Sequence, residues 1–209
     1  MPSTHVVEHP LISHYLLRLR DRRTPAPCFR ELLGQVGALL AYEATRDLDM
    51  IDAEIQTPLE MYQGKCIDRP LGIVPILRAG MGFANAIARM IPDAYMGHIG
   101  IFRDDRNLSP VAYYQKLPSR IADGPVLLVD PMLATGGSAA AAVKLLKSHA
   151  CTDIRFICLI AAPEGVAKLN YEAPDVRIIT AAIDRQLDQN GCIRPGLGDA
   201  GDRIFGTVE

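Results

Sequence analysis

Hydrophobic positions recur at two different periods along this chain. In residues 11–22 and 29–46 they return at the helical period of 3.6 residues, and the second stretch places Leu32, Leu33, Val36, Leu39 and Leu40 on one face. The spacing therefore predicts two helices in the first quarter of the chain.

After the second helix the pattern changes to short apolar runs, each followed by turn residues. The predicted strands are Leu71–Leu77, Tyr95–Phe102, Val126–Val129, Ile154–Ile160 and Val176–Ala181, with helices at Phe83–Met90 and Ala139–Lys147. Strands that are apolar throughout and alternate with helices are typical of a mostly parallel sheet covered on both faces. With no low-complexity linker or internal repeat, we expect a single α/β domain over residues 1–209.

Composition excludes several classes of protein. Apolar residues are 49% of the chain and charged residues 22%, which argues against disorder. The net charge of −2 gives no indication of a nucleic-acid or membrane partner. The basic stretch Arg18–Arg23 is interpreted as a solvated helix face, and so are Asp47, Asp49, Asp52 and Glu54 near a helix end.

Cysteine and histidine patterns indicate neither a disulfide framework nor a metal site. The five cysteines form no C-x-x-C pair, and the five histidines form no H-E-x-x-H or comparable set. The amino-terminal residues lack an apolar signal-peptide core, and no stretch approaches 18 apolar residues. We therefore expect a cytoplasmic protein with no metal-ligating side chains.

The strongest chemical signal is the segment from Val126 to Ser138, which reads VLLVDPMLATGGS. In parallel sheets ligands bind at the carboxyl ends of strands, where this segment places Asp130. The glycines of Thr135-Gly136-Gly137-Ser138 let the backbone N–H groups approach a ligand, the hydroxyls add donors, and the following helix N-terminus adds partial positive charge. The segment predicts a cradle for a phosphate monoester, with Asp130 suited to the ribose hydroxyls.

Two glycine-rich segments of the chain also fit other interpretations. The same turn also fits an ordinary strand–turn–helix joint with a serine N-cap. Residues Gly196–Gly201 match G-x-G-x-x-G, but only eight residues follow, too few for the βαβ unit and acid of a dinucleotide fold. The dinucleotide interpretation is therefore rejected.

The VLLVDPMLATGGS segment resembles the phosphoribosyl-diphosphate signature of type I phosphoribosyltransferases. Most of that superfamily has a second acid where this chain has Pro131, and the form DPMLATGGS resembles the uracil phosphoribosyltransferase family in particular. Further segments are similar to that family in the same order: His9–Leu11, Tyr42–Thr45, Ile73–Gly80, Phe102–Pro118, Ala162–Gly165 and Asn190–Gly206.

The resemblance implies the type I phosphoribosyltransferase fold and a set of site residues. The implied catalytic residues are Asp130, Arg78 and Arg103. Those implied to bind phosphoribosyl diphosphate are Arg78, Arg103, Asp130, Pro131, Met132, Leu133, Ala134, Thr135, Gly136, Gly137, Ser138 and Asp199. Those implied to bind uracil are Ile193, Gly198, Asp199 and Ala200. The resemblance also implies a flap at about 103–117 and a carboxyl-terminal base-binding segment at about 184–209.

The implied reaction converts uracil and 5-phospho-α-D-ribose 1-diphosphate into UMP and diphosphate, in pyrimidine salvage. The implied cofactor is Mg²⁺, held mainly by the substrate diphosphate and water. The implied assembly is a homo-oligomer, a dimer or tetramer, with GTP as an activator that no residue here locates. The alternative is a pyrimidine regulator of the same fold that binds nucleotide and RNA, although such a protein would be expected to present a basic face. A purine or orotate enzyme would ordinarily keep the second acid.

Overall fold

In the computed structural model of this chain, residues 4–103 and 110–207 are described, without the side chain of Arg103. These residues form six helices: α1 (Pro10–Arg20), α2 (Ala26–Ala44), α3 (Met81–Met90), α4 (Gly137–Ser148), α5 (Pro163–Glu172) and α6 (Ala200–Phe205). Their strands are β1 (Thr4–Val6), β2 (Met50–Gln56), β3 (Met61–Ile67), β4 (Gly72–Leu77), β5 (Tyr95–Met96), β6 (His98–Arg103), β7 (Pro110–Lys116), β8 (Val126–Val129), β9 (Met132–Leu133), β10 (Ile154–Ala161), β11 (Arg177–Ile183), β12 (Gln186–Leu187) and β13 (Ile193–Arg194).

The central sheet is mostly parallel, as the apolar runs predicted. Its strands lie in the order β1, β11, β10, β8, β4, β6, β7, with short β5 beside β4 and β9 beside β10. Each of these pairs is parallel except β6 with β7, which is antiparallel. The carboxyl ends of the central strands β4, β8 and β10 therefore meet at one edge of the sheet.

Helices cover both faces of this sheet. In β8, Leu127 and Val129 point into a core formed with α1, α2, α3 and α6, whereas Val126 and Leu128 point into a core formed with α4 and α5. All four side chains are fully buried. Burial on both faces explains why this strand is apolar throughout instead of alternating.

The hairpin of β2 and β3 was not predicted, and it corrects one interpretation of the acidic residues. Asp52 and Glu54 lie in β2, beyond the end of α2, so they do not belong to a helix face. Asp47 accepts hydrogen bonds from Arg155, at 2.9 Å, and from Arg177. Both strands are largely exposed, so their apolar residues do not alternate with polar ones as in a half-buried strand.

Two further predicted segments contain short strands and a helix. The predicted flap at 103–117 contains β7, which pairs with β6 from Arg103 opposite Pro110 to His98 opposite Lys116, while residues 104–109 lie outside the described residues. The base-binding segment at 184–209 contains the β12–β13 hairpin and α6. Within the described ranges, no helix combines the length and hydropathy needed to cross a membrane.

Candidate active site

A pocket of about 190 Å³ lies at the carboxyl end of β8. Asp130 follows the strand directly, and the next residues stay extended because Met132 and Leu133 pair with β10. The carbonyl of Pro131 accepts a hydrogen bond from Leu159 N–H at 2.9 Å. The chain then turns at Ala134 to Gly136 and enters α4, so the turn and Asp130 line the same pocket.

Gly136 makes this turn possible. Its φ is +78°, in the left-handed region, and a methyl group on its Cα would lie 2.8 Å from the carbonyl oxygen of Gly165. Gly137 is instead the first residue of α4, and a methyl group there would make only ordinary contacts at 3.8 Å. The conformational requirement therefore falls on the first of the two glycines.

The start of α4 presents backbone donors. Gly136 is the N-cap and makes no side-chain cap, so the alternative of a serine N-cap is wrong. The first hydrogen bond of the helix runs from Ala140 N–H to the Gly136 carbonyl, at 3.0 Å. The N–H groups of Gly137, Ser138 and Ala139 thus have no acceptor within the helix, an arrangement that favours an anion.

The carboxylate of Asp130 has an unusual electrostatic environment. Burial raises its pKa from 3.8 to about 7, and the nearby Asp199 carboxylate adds to the rise. The backbone N–H of Met132, 3.5 Å from Oδ1, acts in the opposite direction. A group of this kind in a cleft is a candidate for ligand binding, because a partner that donates hydrogen bonds would stabilise its charged form.

A second pocket, of about 530 Å³, adjoins the first. It is lined mainly by residues 190–195 and 198–200, and it shares Met132, Ala134, Asp199 and Ala200 with the smaller pocket. Asp199 is the N-cap of α6, and its side chain accepts a hydrogen bond from Asp202 N–H at 2.9 Å. The two pockets thus form one continuous cleft with Asp199 at their junction.

The loop beside the larger pocket is held by an ion pair from the other end of the chain. The guanidinium of Arg20 binds both oxygens of Asp184, at 2.8 and 2.5 Å, and also the carbonyl of Gly196 at 2.8 Å. Asp184 is buried, and its Oδ2 accepts a hydrogen bond from Gly196 N–H at 2.9 Å. The prediction that residues 18–23 form a solvated face is therefore wrong for Arg20, because α1 packs against this loop.

A second arginine fixes the same loop to the amino-terminal helices. Arg203 in α6 donates hydrogen bonds to the carbonyls of Leu197, at 2.9 Å, and Leu19, and its guanidinium lies 4.3 Å from the ring centroid of Phe29. No sequence pattern predicted these roles of Arg20, Asp184 and Arg203. Their partners are up to 184 residues away, so no local spacing could have paired them.

Of the two arginines expected at the diphosphate, Arg78 is the one whose side chain lies in the described part of the structure. Arg78 follows β4 after a cis Leu77–Arg78 peptide bond and is exposed, with its guanidinium 5.3 Å from the ring centroid of Phe205. Its neighbour Ala79 lines the smaller pocket. Arg103 ends β6, and its side chain lies outside the described part of the structure.

Comparison with known proteins decides the family. The model of the family described as uracil phosphoribosyltransferase matches residues 6–207. The chain belongs to the uracil phosphoribosyltransferase family. This membership confirms the resemblance inferred from the DPMLATGGS segment, and neither the family nor its relatives support the RNA-binding alternative.

Relatives of this chain match it over nearly its full length. The uracil phosphoribosyltransferase of Acidovorax ebreus is 53% identical over 208 residues, covering 99% of this chain and 100% of the relative. The solved structure of the AQ2163 protein from Aquifex aeolicus is 33% identical, with a TM-score of 0.94 and 99% of each chain covered. An adenine phosphoribosyltransferase from Trypanosoma brucei is 13% identical, with a TM-score of 0.58 over 95% of this chain and 89% of that one, a likeness of fold alone. The fold is that of type I phosphoribosyltransferases.

Most residues that the family resemblance implied meet in the cleft. The smaller pocket is lined by Asp130, Met132, Leu133, Ala134, Thr135, Gly136, Ser138, Asp199 and Ala200, and the larger by Ile193, Gly198, Asp199 and Ala200. Pro131 and Gly137 are buried and line neither of these two pockets. Among the described residues, no three His, Cys, Asp or Glu side chains form a group able to hold a metal ion.

Proposed function

We propose that this protein transfers the phosphoribosyl group of 5-phospho-α-D-ribose 1-diphosphate to N1 of uracil, forming UMP and releasing diphosphate. Its family membership supports the reaction, and one observation of the structure supports the site. A pocket bounded by a helix N-terminus and a pocket bounded by a glycine-rich loop share Asp199 and Ala200, so they can hold the two ends of one nucleotide.

The phosphoribosyl end fits the smaller pocket. The N–H groups of Gly137, Ser138 and Ala139 at the start of α4 would bind the 5′-phosphate, with Thr135 and Ser138 supplying hydroxyls. Asp130 would accept hydrogen bonds from the two ribose hydroxyls. Because burial raises the pKa of Asp130, these donors would stabilise a carboxylate that has few other partners.

The base fits the larger pocket. Uracil presents an acceptor at O4 and a donor at N3–H, and cytosine presents the reverse. We propose that backbone groups of Ile193, Gly198 and Ala200 read these positions, while Asp199 faces the ribosyl-diphosphate side. Fixed peptide dipoles cannot rotate to suit cytosine, and rejection by unpaired buried groups can reach about 10⁴-fold.

The hairpin geometry is compatible with that reading. Two backbone hydrogen bonds flank the β12–β13 pair: Asp188 N–H donates to the Cys192 carbonyl at 2.8 Å, and Arg185 N–H donates to the Arg194 carbonyl at 3.0 Å. Successive residues of a strand direct their peptide groups to opposite sides, so bonds at residues 192 and 194 direct Ile193 away from β12. Gly198 has φ +83°, which suits a sharply turned loop with exposed peptide groups.

Catalysis would come from positioning and electrostatics, since the leaving diphosphate is highly charged and the ribose ring develops oxocarbenium character. Arg78 and Arg103 would neutralise the diphosphate, Arg78 by leaving its position over Phe205. A flap at residues 103–117 would exclude water from the activated sugar. Strand β7, which is part of this flap, places Pro110 near Gly137. A methyl group added to Gly137 would lie 3.8 Å from the Cδ of Pro110.

The smaller pocket suits a magnesium ion that arrives with the diphosphate. Among its described lining residues the charged ones are Asp130 and Asp199, and the charge of Asp199 helps to raise the pKa of Asp130. Hard carboxylate oxygens near sugar and diphosphate oxygens are what Mg²⁺ prefers. We expect the substrate and water to provide most ligands, and the ion to supply positive charge against the leaving group.

We also propose that residues 1–209 act as one domain and that the chain is a homo-oligomer. The β2–β3 hairpin exposes seven large apolar side chains, each 44–94% accessible: Met50, Ile51, Ile55, Leu59, Met61, Tyr62 and Ile67. An apolar surface of this kind is typical of a protein interface. A dimer or tetramer, activation by GTP and a cytoplasmic location stay predictions.

The reaction is tested by incubating the protein with Mg²⁺, labelled uracil and phosphoribosyl diphosphate. We expect UMP and diphosphate in equal amounts, and no product when cytosine replaces uracil. Matched reactions with hypoxanthine, adenine and orotate test the other branches of the fold. Absence of UMP, or faster turnover of any of these bases, would contradict the proposal.

A further inference from the structure

The smaller pocket offers little positive charge for the phosphate it is expected to hold. The charged side chains among its described lining residues are the carboxylates of Asp130 and Asp199. The start of α4 contributes a partial charge of only about +0.5. A phosphate monoester carries up to about two negative charges at neutral pH. An additional cation near the turn would therefore strengthen binding.

Helix α5 packs closely enough to supply one. Gly165, in its first turn, allows this approach, because a methyl group on Gly165 would lie 2.7 Å from the carbonyl oxygen of Leu133 and would also collide with that of Ala134. The adjacent Glu164 binds Leu187 N–H at 3.0 Å, which fixes the same end of α5 to the base-binding segment. The position of α5 against the phosphate turn is thus set by a close backbone approach at Gly165 and by the side chain of Glu164.

Lys168 lies one turn further along α5, beside this turn. Its Cβ lies 3.2 Å from the position that a methyl group on Gly136 would take. Its Nζ lies 3.9 Å from the corresponding position at Gly137, the first residue of α4. The ammonium group is therefore next to the donors at the start of α4.

Lys168 also forms a weak ion pair with Glu172. Its Nζ lies 3.8 Å from Glu172 Oε1, and the two side chains are 45% and 47% exposed. An exposed pair of this kind contributes little, and lysine before glutamate is the less favourable order on a helix. A small rotation of the flexible lysine side chain would exchange Glu172 for a phosphate.

We propose that Lys168 binds the 5′-phosphate of phosphoribosyl diphosphate and of UMP, a role that rests on the proposed function. It supplies from α5 the full positive charge that the smaller pocket lacks. When no ligand is bound, Glu172 pairs with the same ammonium group, and it therefore competes with the phosphate for it.

The decisive variant is Lys168→Met, which keeps an unbranched apolar stem and removes the charge. Titration calorimetry with UMP is expected to show affinity about five- to tenfold weaker than wild type at low salt. The difference should shrink at high salt, because an exposed charge is screened. The matched control is Lys144→Met on the exposed face of α4, which removes the same charge and should change the affinity less than about twofold.

A second variant moves the affinity the other way. Glu172→Gln removes the competing carboxylate, so UMP should bind about twofold more tightly. A merely structural role of the Lys168–Glu172 pair would make both variants bind UMP equally or more weakly. In steady-state assays, Lys168→Met should raise KM for phosphoribosyl diphosphate more than KM for uracil.

The outcomes separate the two proposals. Unchanged UMP affinity in Lys168→Met, or an equal loss in Lys144→Met, would overturn the role of Lys168 while leaving the reaction intact. If wild-type protein neither binds UMP nor forms it from uracil and phosphoribosyl diphosphate, the proposed function fails, and the role of Lys168 fails with it.

Discussion

The two halves of the cleft are built in opposite ways. The phosphate half is local in sequence: a buried strand, one left-handed glycine and a helix follow each other within residues 126–148. The base half is a loop that connects two short strands to a six-residue helix. Side chains from α1 and α6 hold this loop in place. The conformation of the first depends mainly on neighbouring residues in the sequence, and that of the second depends on long-range side-chain contacts.

This difference indicates how each half should respond to mutation. Changes in the phosphate half act through backbone shape or a buried charge, so their effects should be large and should affect every phosphorylated ligand. Changes in the base half act through supporting side chains, so their effects should be smaller and concentrated on uracil. Four substitutions test the comparison, from the largest expected effect to the smallest.

Gly136→Val should have the largest effect. A branched side chain disfavours φ +78° and would collide with the carbonyl of Gly165, so the turn cannot form as it stands. UMP binding by calorimetry and turnover should both fall below detection. Gly206→Val is the control, since Gly206 has φ +70° but nothing within 4 Å of an added methyl group. It should cost about 1–2 kcal/mol of stability and retain activity. Normal UMP affinity in Gly136→Val would refute the cradle.

Asp130→Asn should leave the fold intact and reduce turnover by about 10- to 100-fold. The amide replaces one acceptor for the ribose hydroxyls with a donor and removes the charge. Steady-state kinetics of the purified variant, with its thermal unfolding as a control for folding, measure the effect. Full activity in a folded variant would exclude a role for Asp130.

The raised pKa of Asp130 also predicts that the stability of the fold depends on pH. The pKa of Asp130 is about 7 in the folded chain and near 3.8 when unfolded, so the folded state binds more protons between these values. Wild-type stability should therefore decrease as pH rises from about 4 to 7, by up to about 1.4 kcal/mol per pKa unit. Asp199 and Cys158 also interact with this carboxylate. The ligand-free Tm of Asp130→Asn should exceed that of wild type more at pH 8 than at pH 4.

Asp184→Asn should weaken the base half selectively. It keeps the size of the side chain but removes the buried charge that binds Arg20, and a half-buried arginine left without its carboxylate is costly. We expect KM for uracil to rise about tenfold and KM for phosphoribosyl diphosphate less than about twofold. Asp21→Asn, which breaks an exposed pair with Arg23, is the control and should change neither. Equal increases in both KM values would contradict the division into halves.

Ile193→Ala should give the smallest change in selectivity. Ile193 is 5% exposed, so truncation should cost about 2–4 kcal/mol of stability and weaken uracil binding through lost packing. The preference for uracil over cytosine should stay nearly unchanged, because backbone groups are expected to set it. If cytosine then reacts at a rate comparable to uracil, side-chain packing is the discriminator.

How far the sequence predicted the cleft follows from the same comparison. The pattern of Val126–Val129 and the glycines after it predicted the strand, the turn and α4, because each depends on neighbouring residues. The sequence did not distinguish the two glycines, since only the structure shows Gly136 in the left-handed region and Gly137 in the helix. The location of Asp130 after β8 follows from the same local pattern.

The residues that hold the base half in place could not be predicted from local sequence patterns. Arg20 was assigned to a solvated face because a basic run at helical spacing usually faces solvent, and only the tertiary structure places it against Asp184. The β2–β3 hairpin was missed because its apolar residues are exposed, so they follow neither the helical period nor the alternation of a half-buried strand. Lys168 showed no signal in sequence because its neighbour is a glycine 31 residues earlier.

The most direct test of the account is a crystal structure with UMP bound. We expect the phosphate within about 2.7–3.2 Å of the N–H groups of Gly137, Ser138 and Ala139. The uracil ring should lie in the larger pocket, with O4 and N3 facing backbone groups of residues 193–200. UMP bound in the opposite orientation, or in the separate cavity lined by Arg30 and Arg89, would contradict the assignment of the two pockets.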